Sequence, residues 1–161
     1  YLMLQSFQSN RATQQASQRF YDSIKNLLTA PHLIIDLRNN EGGSKNEMMK
    51  YFKLLKKYSQ KGRLYVLLNN GTLSQAEIFT LEVKQLKNVI TLGHTTKGML
   101  TYGSNYDKRV RLPSGKFELY PTDMKGSGKL LRYEDYGITP DIVLSDDRDW
   151  IEQTIEFIRK Q

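Results

Sequence analysis

The amino-acid sequence predicts an α/β fold: a core of parallel strands with crossover helices, followed by a β-hairpin and a closing helix. Three observations carry this. Apolar runs of four to six residues alternate with segments of helical period, the connections between them are short, and past residue 93 the alternation gives way to a period-2 pattern.

Residues 1–4 read as a strand. No turn, cap or start methionine precedes it, so the numbering is expected to begin inside a domain, with any leader or anchor upstream. Residues 13–29 carry Ala16, Phe20, Ile24, Leu27 and Leu28 at helical steps. Pro31 stops that helix, because the residue before a proline is pushed out of helical conformation. Residues 32–37 form a nearly unbroken apolar run, as a strand buried on both faces requires. A turn at 39–44 leads into a helix on which Met48, Met49, Phe52 and Leu55 share one side. Residues 64–68 make a second buried strand, 69–71 a turn, 75–86 a third helix and 89–92 a further strand. Residues 106–112 and 116–120 alternate as a hairpin about Pro113-Ser114-Gly115. The closing helix, 150–159, aligns Ile151, Ile155 and Ile158, with Asp146, Asp147 and Asp149 at its positive end. With no internal repeat and no low-complexity linker, residues 1–161 read as one domain.

Composition narrows the function. At 39% apolar and 25% charged residues the chain is not of disordered type, and its apolar runs are too short to cross a bilayer. Without cysteine there is no disulfide framework, thiol nucleophile or cysteine-type zinc site. The net charge of +7 raises the question of nucleic acid. Its densest stretch, from Lys50 to Arg63, falls on the polar face of the second helix, and no aromatic-and-glycine RNA-binding pattern accompanies it. A solvated face is the reading, and no nucleic-acid partner is expected. No carboxylate or histidine cluster has metal-ligand spacing and no Walker-type loop occurs, so no metal or cofactor is expected.

Two turns follow buried strands and precede helices, the position where open α/β sheets gather ligands. In the first, Gly42 and Gly43 let backbone N–H groups approach a substrate without side-chain hindrance. In the second, Ser74 opens a helix with Glu77 three residues on, the spacing of a capping box. Either turn alone reads as ordinary local structure.

Together they resemble one family. Leu33-Ile34-Ile35-Asp36-Leu37-Arg38-Asn39-Asn40-Glu41-Gly42-Gly43 resembles the strand and turn of the tail-specific (C-terminal processing) serine proteases. Val66 to Phe79, with Leu73-Ser74-Gln75-Ala76-Glu77, is similar to their nucleophile segment. Val89 to Gly93 resembles the strand that follows, and Gly137-Ile138-Thr139-Pro140-Asp141-Ile142 their closing motif. The segments occur in family order over nearly the whole chain. The resemblance implies a ClpP/crotonase-like core and cleavage of extended polypeptides by a serine, carried by position onto Ser74. The oxyanion donors it implies are the N–H of Gln75 and one N–H from Gly42 or Gly43.

A serine hydroxyl needs a base. Where the Ser–Lys branch has its lysine, this sequence has Met99, with Lys97 two residues earlier. Lys97 therefore ranks first among the bases present, provided burial against Met99 and Leu100 keeps it neutral. His94 comes next. Glu134 stands where the tricorn-like branch has a glutamate, whose partner histidine would come from upstream of Tyr1. On this pattern the chain is closer to the Bacteroidetes-type, tricorn-like branch than to the Ser–Lys branch. The alternatives are an inactive peptide- or ligand-binding module on the same scaffold and, more distantly, a crotonase-type acyl-CoA enzyme. The resemblance also implies a cell-envelope or secreted location.

Overall fold

The apolar runs at 32–37 and 64–68 become neighbouring strands of one sheet, and helices pack on both of its faces. The computed structural model describes residues 1–101, 108–122 and 127–161. In chain order the elements are β1 (Leu2–Met3), α1 (Arg11–Ile24), β2 (His32–Asp36), α2 (Lys45–Tyr58), β3 (Arg63–Leu68), α3 (Gln75–Val83) and β4 (Val89–Gly93). There follow β5 (Val110–Arg111), β6 (Glu118–Leu119), a 3-10 turn (Gly128–Tyr133), β7 (Ile142–Val143) and α4 (Trp150–Arg159).

Five strands form one sheet in the order β1-β2-β3-β4-β7, every neighbouring pair parallel. The expected parallel α/β core is therefore present. Alternation along the strands sorts the core. Leu33, Ile35 and Leu37 with Leu64, Val66 and Leu68 face α2 and α3, against Met48, Leu55, Phe79 and Val83. Ile34, Tyr65, Leu67 and Leu92 face the other way, against Trp150 of α4. Both faces are covered, which is why the strands read as continuous apolar runs.

Four details differ from the sequence reading, the first being that the third helix ends at Val83 rather than 86. The first helix ends at Ile24 rather than 29, so Leu27 is left 71% exposed while Leu28 packs on the core from a loop. Strand β7 was not expected. The hairpin strands are shorter than predicted and form a separate antiparallel pair; the expected start at Tyr106 lies outside the described residues.

Below the first turn, Asp36 is fully buried and takes bonds from the Arg38 guanidinium (2.6 Å at the closest) and the Tyr1 hydroxyl (2.8 Å). Burial alone pushes its carboxyl up, but Arg38 and Tyr1 outweigh burial and hold it below the ordinary carboxylate range. A carboxyl lowered in the folded state contributes stability at neutral pH that is lost as pH falls through the folded-state value. Asp36→Asn is expected to cost about 3 kcal/mol at pH 7, because it leaves the Arg38 charge half-buried without its partner. In urea titrations the gap between variant and wild type should begin to narrow below about pH 4, where the unfolded chain's carboxyl protonates, and close as pH falls further through the lowered folded-state value. A gap independent of pH contradicts this account.

Candidate active site

The two glycine- and serine-bearing turns are laced together by side-chain amides. Asn39 N–H donates to Asn69 Oδ1 at 2.9 Å, and Asn69 Nδ2 returns a bond to Asn39 Oδ1 at 3.0 Å. Thr72 Oγ1 donates to the Leu37 carbonyl at 2.9 Å, and Leu73 N–H to the Asn40 carbonyl at 3.0 Å. Asn40 is fully buried; its Nδ2 reaches the Leu4 carbonyl at 2.7 Å and its Oδ1 accepts from Gly42 N–H at 2.8 Å. Replacing Asn40 would strand buried polar partners, while the Asn39–Asn69 pair ties the two turns at the surface.

At the point of contact only glycine fits. A Cβ on Gly42 would lie 2.6 Å from Gln75 N and 3.0 Å from Ser74 Cβ, and one on Gly43 2.4 Å from the Phe7 backbone. Gly42 and Gly43 have φ of 85° and 132°, which L side chains rarely adopt. The structure thus brings Gly42, Ser74 and Gln75 together, with Gly43 the next residue along. It also separates the two glycines as donors: Gly42 N–H is used by Asn40, whereas the N–H groups of Gly43 and Gln75 donate no hydrogen bond among the described residues. Gln75 is the first residue of α3, where unpaired N–H groups and the helix dipole favour a negative charge.

Ser74 is not an ordinary cap. Asn10, Ser44 and Asp149, which precede α1, α2 and α4, have extended backbones with φ between −60° and −83°. Ser74 has φ 56° and ψ −122°, a conformation that favours glycine and costs a serine on the order of 1–3 kcal/mol. A sharp, strained turn from strand to helix that lifts a serine above the sheet is the shape of a nucleophile elbow.

The strain is held by Glu77. Its carboxylate is fully buried and accepts from Ser74 N–H at 3.0 Å and Met99 N–H at 2.9 Å on one oxygen. On the other it accepts from Gly98 N–H at 2.7 Å and Thr96 Oγ1 at 2.5 Å. Thr96 Oγ1 in turn accepts from Ile138 N–H at 2.8 Å. One residue further, Glu134 Oε2 accepts from Leu100 N–H at 3.0 Å and Thr101 N–H at 2.7 Å. Two carboxylates therefore hold the 96–101 loop, one from the elbow and one from the far side. The sequence pointed to Glu134 through resemblance and to Glu77 only as a cap; Asn40, Asn69, Thr72 and Thr96 carried no signal of their own.

The loop's candidate bases are placed differently from expectation. Lys97 is exposed, anchored by its N–H to the Thr72 carbonyl at 3.0 Å, so the burial that its use as a base requires is not present. Met99 is 47% exposed. His94 lies on the α4 side of the sheet: its Nε2 bonds the Leu144 carbonyl at 2.9 Å and its ring packs edge-on against Trp150. There it lines a cavity of about 440 Å³ with Arg38 and Trp150. No group of His, Asp or Glu residues among those described is arranged to hold a metal ion.

The site is thus a parallel α/β sheet with a strained serine before a helix N-terminus and a glycine turn beside it. In comparison with known proteins, the profile of Peptidase family S41 matches residues 1–60 and 48–144, and the chain belongs to that family. No curated protein matches it in sequence. Among solved structures it is similar to a lipoprotein from Streptococcus agalactiae (20% identity, TM-score 0.63, covering 99% of this chain and 65% of that one). The photosystem II D1 C-terminal processing protease gives 20% identity and TM-score 0.59, over 89% of this chain and 42% of that one. The tricorn protease gives 17% identity and TM-score 0.67, over 99% of this chain and 17% of that one. At these identities the structures establish the shared fold, and the chain spans less than two thirds of each of them.

Proposed function

We propose that the chain is the core of a serine peptidase that cleaves polypeptides through an acyl-enzyme on Ser74. The observation that carries this reading is the Ser74 backbone, strained where three other helix caps are relaxed. In this reading Ser74 Oγ attacks the scissile carbonyl, and the N–H groups of Gln75 and Gly43 receive the negative charge that develops on its oxygen. Each such donor is worth roughly 3–4 kcal/mol of barrier. The family membership supports a polypeptide substrate, and the D1-processing neighbour supports cleavage near C-termini. The lipoprotein among the neighbours favours a cell-envelope location.

The base follows the tricorn-like arrangement in this proposal. Met99 stands at the lysine's position by resemblance and Lys97 is exposed, whereas Glu134 binds the loop backbone, and this reading gives it the role of orienting a histidine supplied from outside residues 1–161. The test is a fluorophosphonate probe on the whole protein, with the adduct mapped by mass spectrometry. The adduct is expected on Ser74; Lys97→Ala should label within about threefold of wild type and Glu134→Gln at least about tenfold more slowly. Loss of labelling in Lys97→Ala restores the Ser–Lys reading. A second reading, a binding module on the same scaffold, is favoured by the exposure of Lys97 and the placement of His94 against Trp150, and a wild-type protein that never labels selects it.

A further inference from the structure

The end of the molecule opposite the candidate site carries cations and no acidic side chain. At the amino ends of the strands four segments meet: residues 25–32, 56–63, 85–89 and 158–161. Hydrogen bonds hold them in one surface. Tyr58 OH donates to the Ala30 carbonyl at 2.7 Å, Arg63 N–H to the Pro31 carbonyl at 2.8 Å and Asn88 Nδ2 to the Ser59 carbonyl at 3.1 Å. Arg63 Nη1 reaches Gln161 Oε1 at 3.1 Å. Together these segments hold eight Lys and Arg and no Asp or Glu. The turns at the carboxyl ends of the strands, 37–44, 69–74, 94–101 and 144–149, hold three cations against four acids. The charge of the protein is thus separated along the strand axis.

Part of this is local helix chemistry. Lys56, Lys57 and Arg159 sit in last turns, where a cation complements the helix dipole. That account does not reach Lys61 or Lys87, both exposed and in loops, nor the residue at the tip. Leu27 is 71% exposed between Lys25 and the 28–31 loop, and beside it a cleft of about 220 Å³ is lined by Lys25, Lys57 and Lys61 over Leu28, Leu54 and Tyr58. Lys25 pairs with Asp22 at 2.6 Å, while Lys57, Lys61 and Lys87 form no ion pair among the described residues.

We propose that this end seats on an anionic bilayer surface, with Leu27 entering the interface and the Ser74 end facing away from it. An exposed apolar side chain beside a lysine-lined cleft suits a membrane interface, where apolar insertion and attraction to acidic headgroups add. A nucleic acid is a poorer fit, since the cations of these segments are mostly lysine and the segments present no exposed Phe, Tyr or Trp for stacking. No helix among the described residues is long and apolar enough to cross a membrane; seating through lysine ammonium groups makes this contact salt-sensitive.

The test is co-sedimentation of the protein with vesicles of phosphatidylcholine alone and of phosphatidylcholine mixed with phosphatidylglycerol, at low salt. Binding is expected only to the mixed vesicles, falling about tenfold in roughly 0.5 M salt. Lys57→Glu, Lys61→Glu and Lys87→Glu combined should lower it at least about tenfold, and Leu27→Ser several-fold. These side chains are exposed, and circular dichroism checks that the variants fold. Equal binding to both vesicles, binding to neither, or a triple variant that binds like wild type overturns the proposal. So does Leu27→Ser binding like wild type while inorganic polyphosphate competes, which assigns the surface to a soluble polyanion. None of these residues touches Ser74, so failure here leaves the peptidase reading intact.

Discussion

Ser74→Gly is expected to abolish covalent labelling while making the protein more stable, by about 1 kcal/mol. Relief of a backbone at φ 56° and ψ −122° returns on the order of 1–3 kcal/mol, and the added freedom of glycine in the unfolded chain takes back about 0.5–1. The Glu77 bond to the Ser74 N–H survives, since it uses the backbone. Replacing a capping serine by glycine otherwise costs only a few tenths. Ser74→Ala should lose labelling equally but keep the strain, so its stability should stay within about 0.5 kcal/mol of wild type. The pair separates two roles that one variant confuses. If Ser74 only caps α3, alanine should cost about 1 kcal/mol and glycine should bring no gain. Urea unfolding of both proteins, beside the labelling assay, decides the matter.

Stored strain at one residue makes sense only if its surroundings over-determine it. Here Gly42 meets Ser74 and Gln75 with no room for a methyl group, and the Asn39–Asn69 and Asn40–Leu73 bonds prevent the turns from drifting apart. The exposed Lys97 and the buried loop around it follow the same logic. The backbone of the 96–99 segment is held from within by Glu77, so the Lys97 side chain is free to face solvent.

The sequence displayed what is local and hid what is long-range. Strands β2 and β3 were legible because burial on both faces leaves a nearly unbroken apolar run in each, and α2 because its apolar residues keep helical period. The end of α1 was misjudged because Leu27 and Leu28 continue that period, although one is exposed and the other packs from a loop. Strand β7 pairs through two residues, too few to show any period. At the site, resemblance pointed to Ser74, Gln75 and the glycines. Ser74 and Glu77 looked like a capping box because they have its spacing, and the Glu77 side chain does bond the Ser74 N–H. Its other three donors lie 19 to 22 residues away, and neither the spacing nor the residue types foretell that contact.

Glu77→Gln is therefore the substitution expected to do most damage for the smallest change in shape. Glu77 acts as a positioning residue: four donors converge on two oxygens, and a carboxylate accepts all four. A glutamine keeps one accepting oxygen and turns an NH₂ toward two of the donors. Whichever way the amide turns, it faces two backbone N–H groups or an N–H and the Thr96 hydroxyl. Each buried donor left unsatisfied costs about 1–3 kcal/mol, so the loss should be about 3 kcal/mol or more. For a chain of this length that lowers Tm by roughly 6–12 °C. The same change frees the Ser74 amide and the 96–99 loop together, and a shift of about 1 Å at the elbow should slow labelling of Ser74 around 100-fold. A merely structural glutamate would lower Tm without touching the labelling rate of the folded fraction. Measured well below the variant's Tm, the rate per folded molecule discriminates the two, and amide exchange at Gly98 and Met99 should quicken in step with it. Labelling at the wild-type rate in folded Glu77→Gln would show that the carboxylate supports the fold and not the elbow.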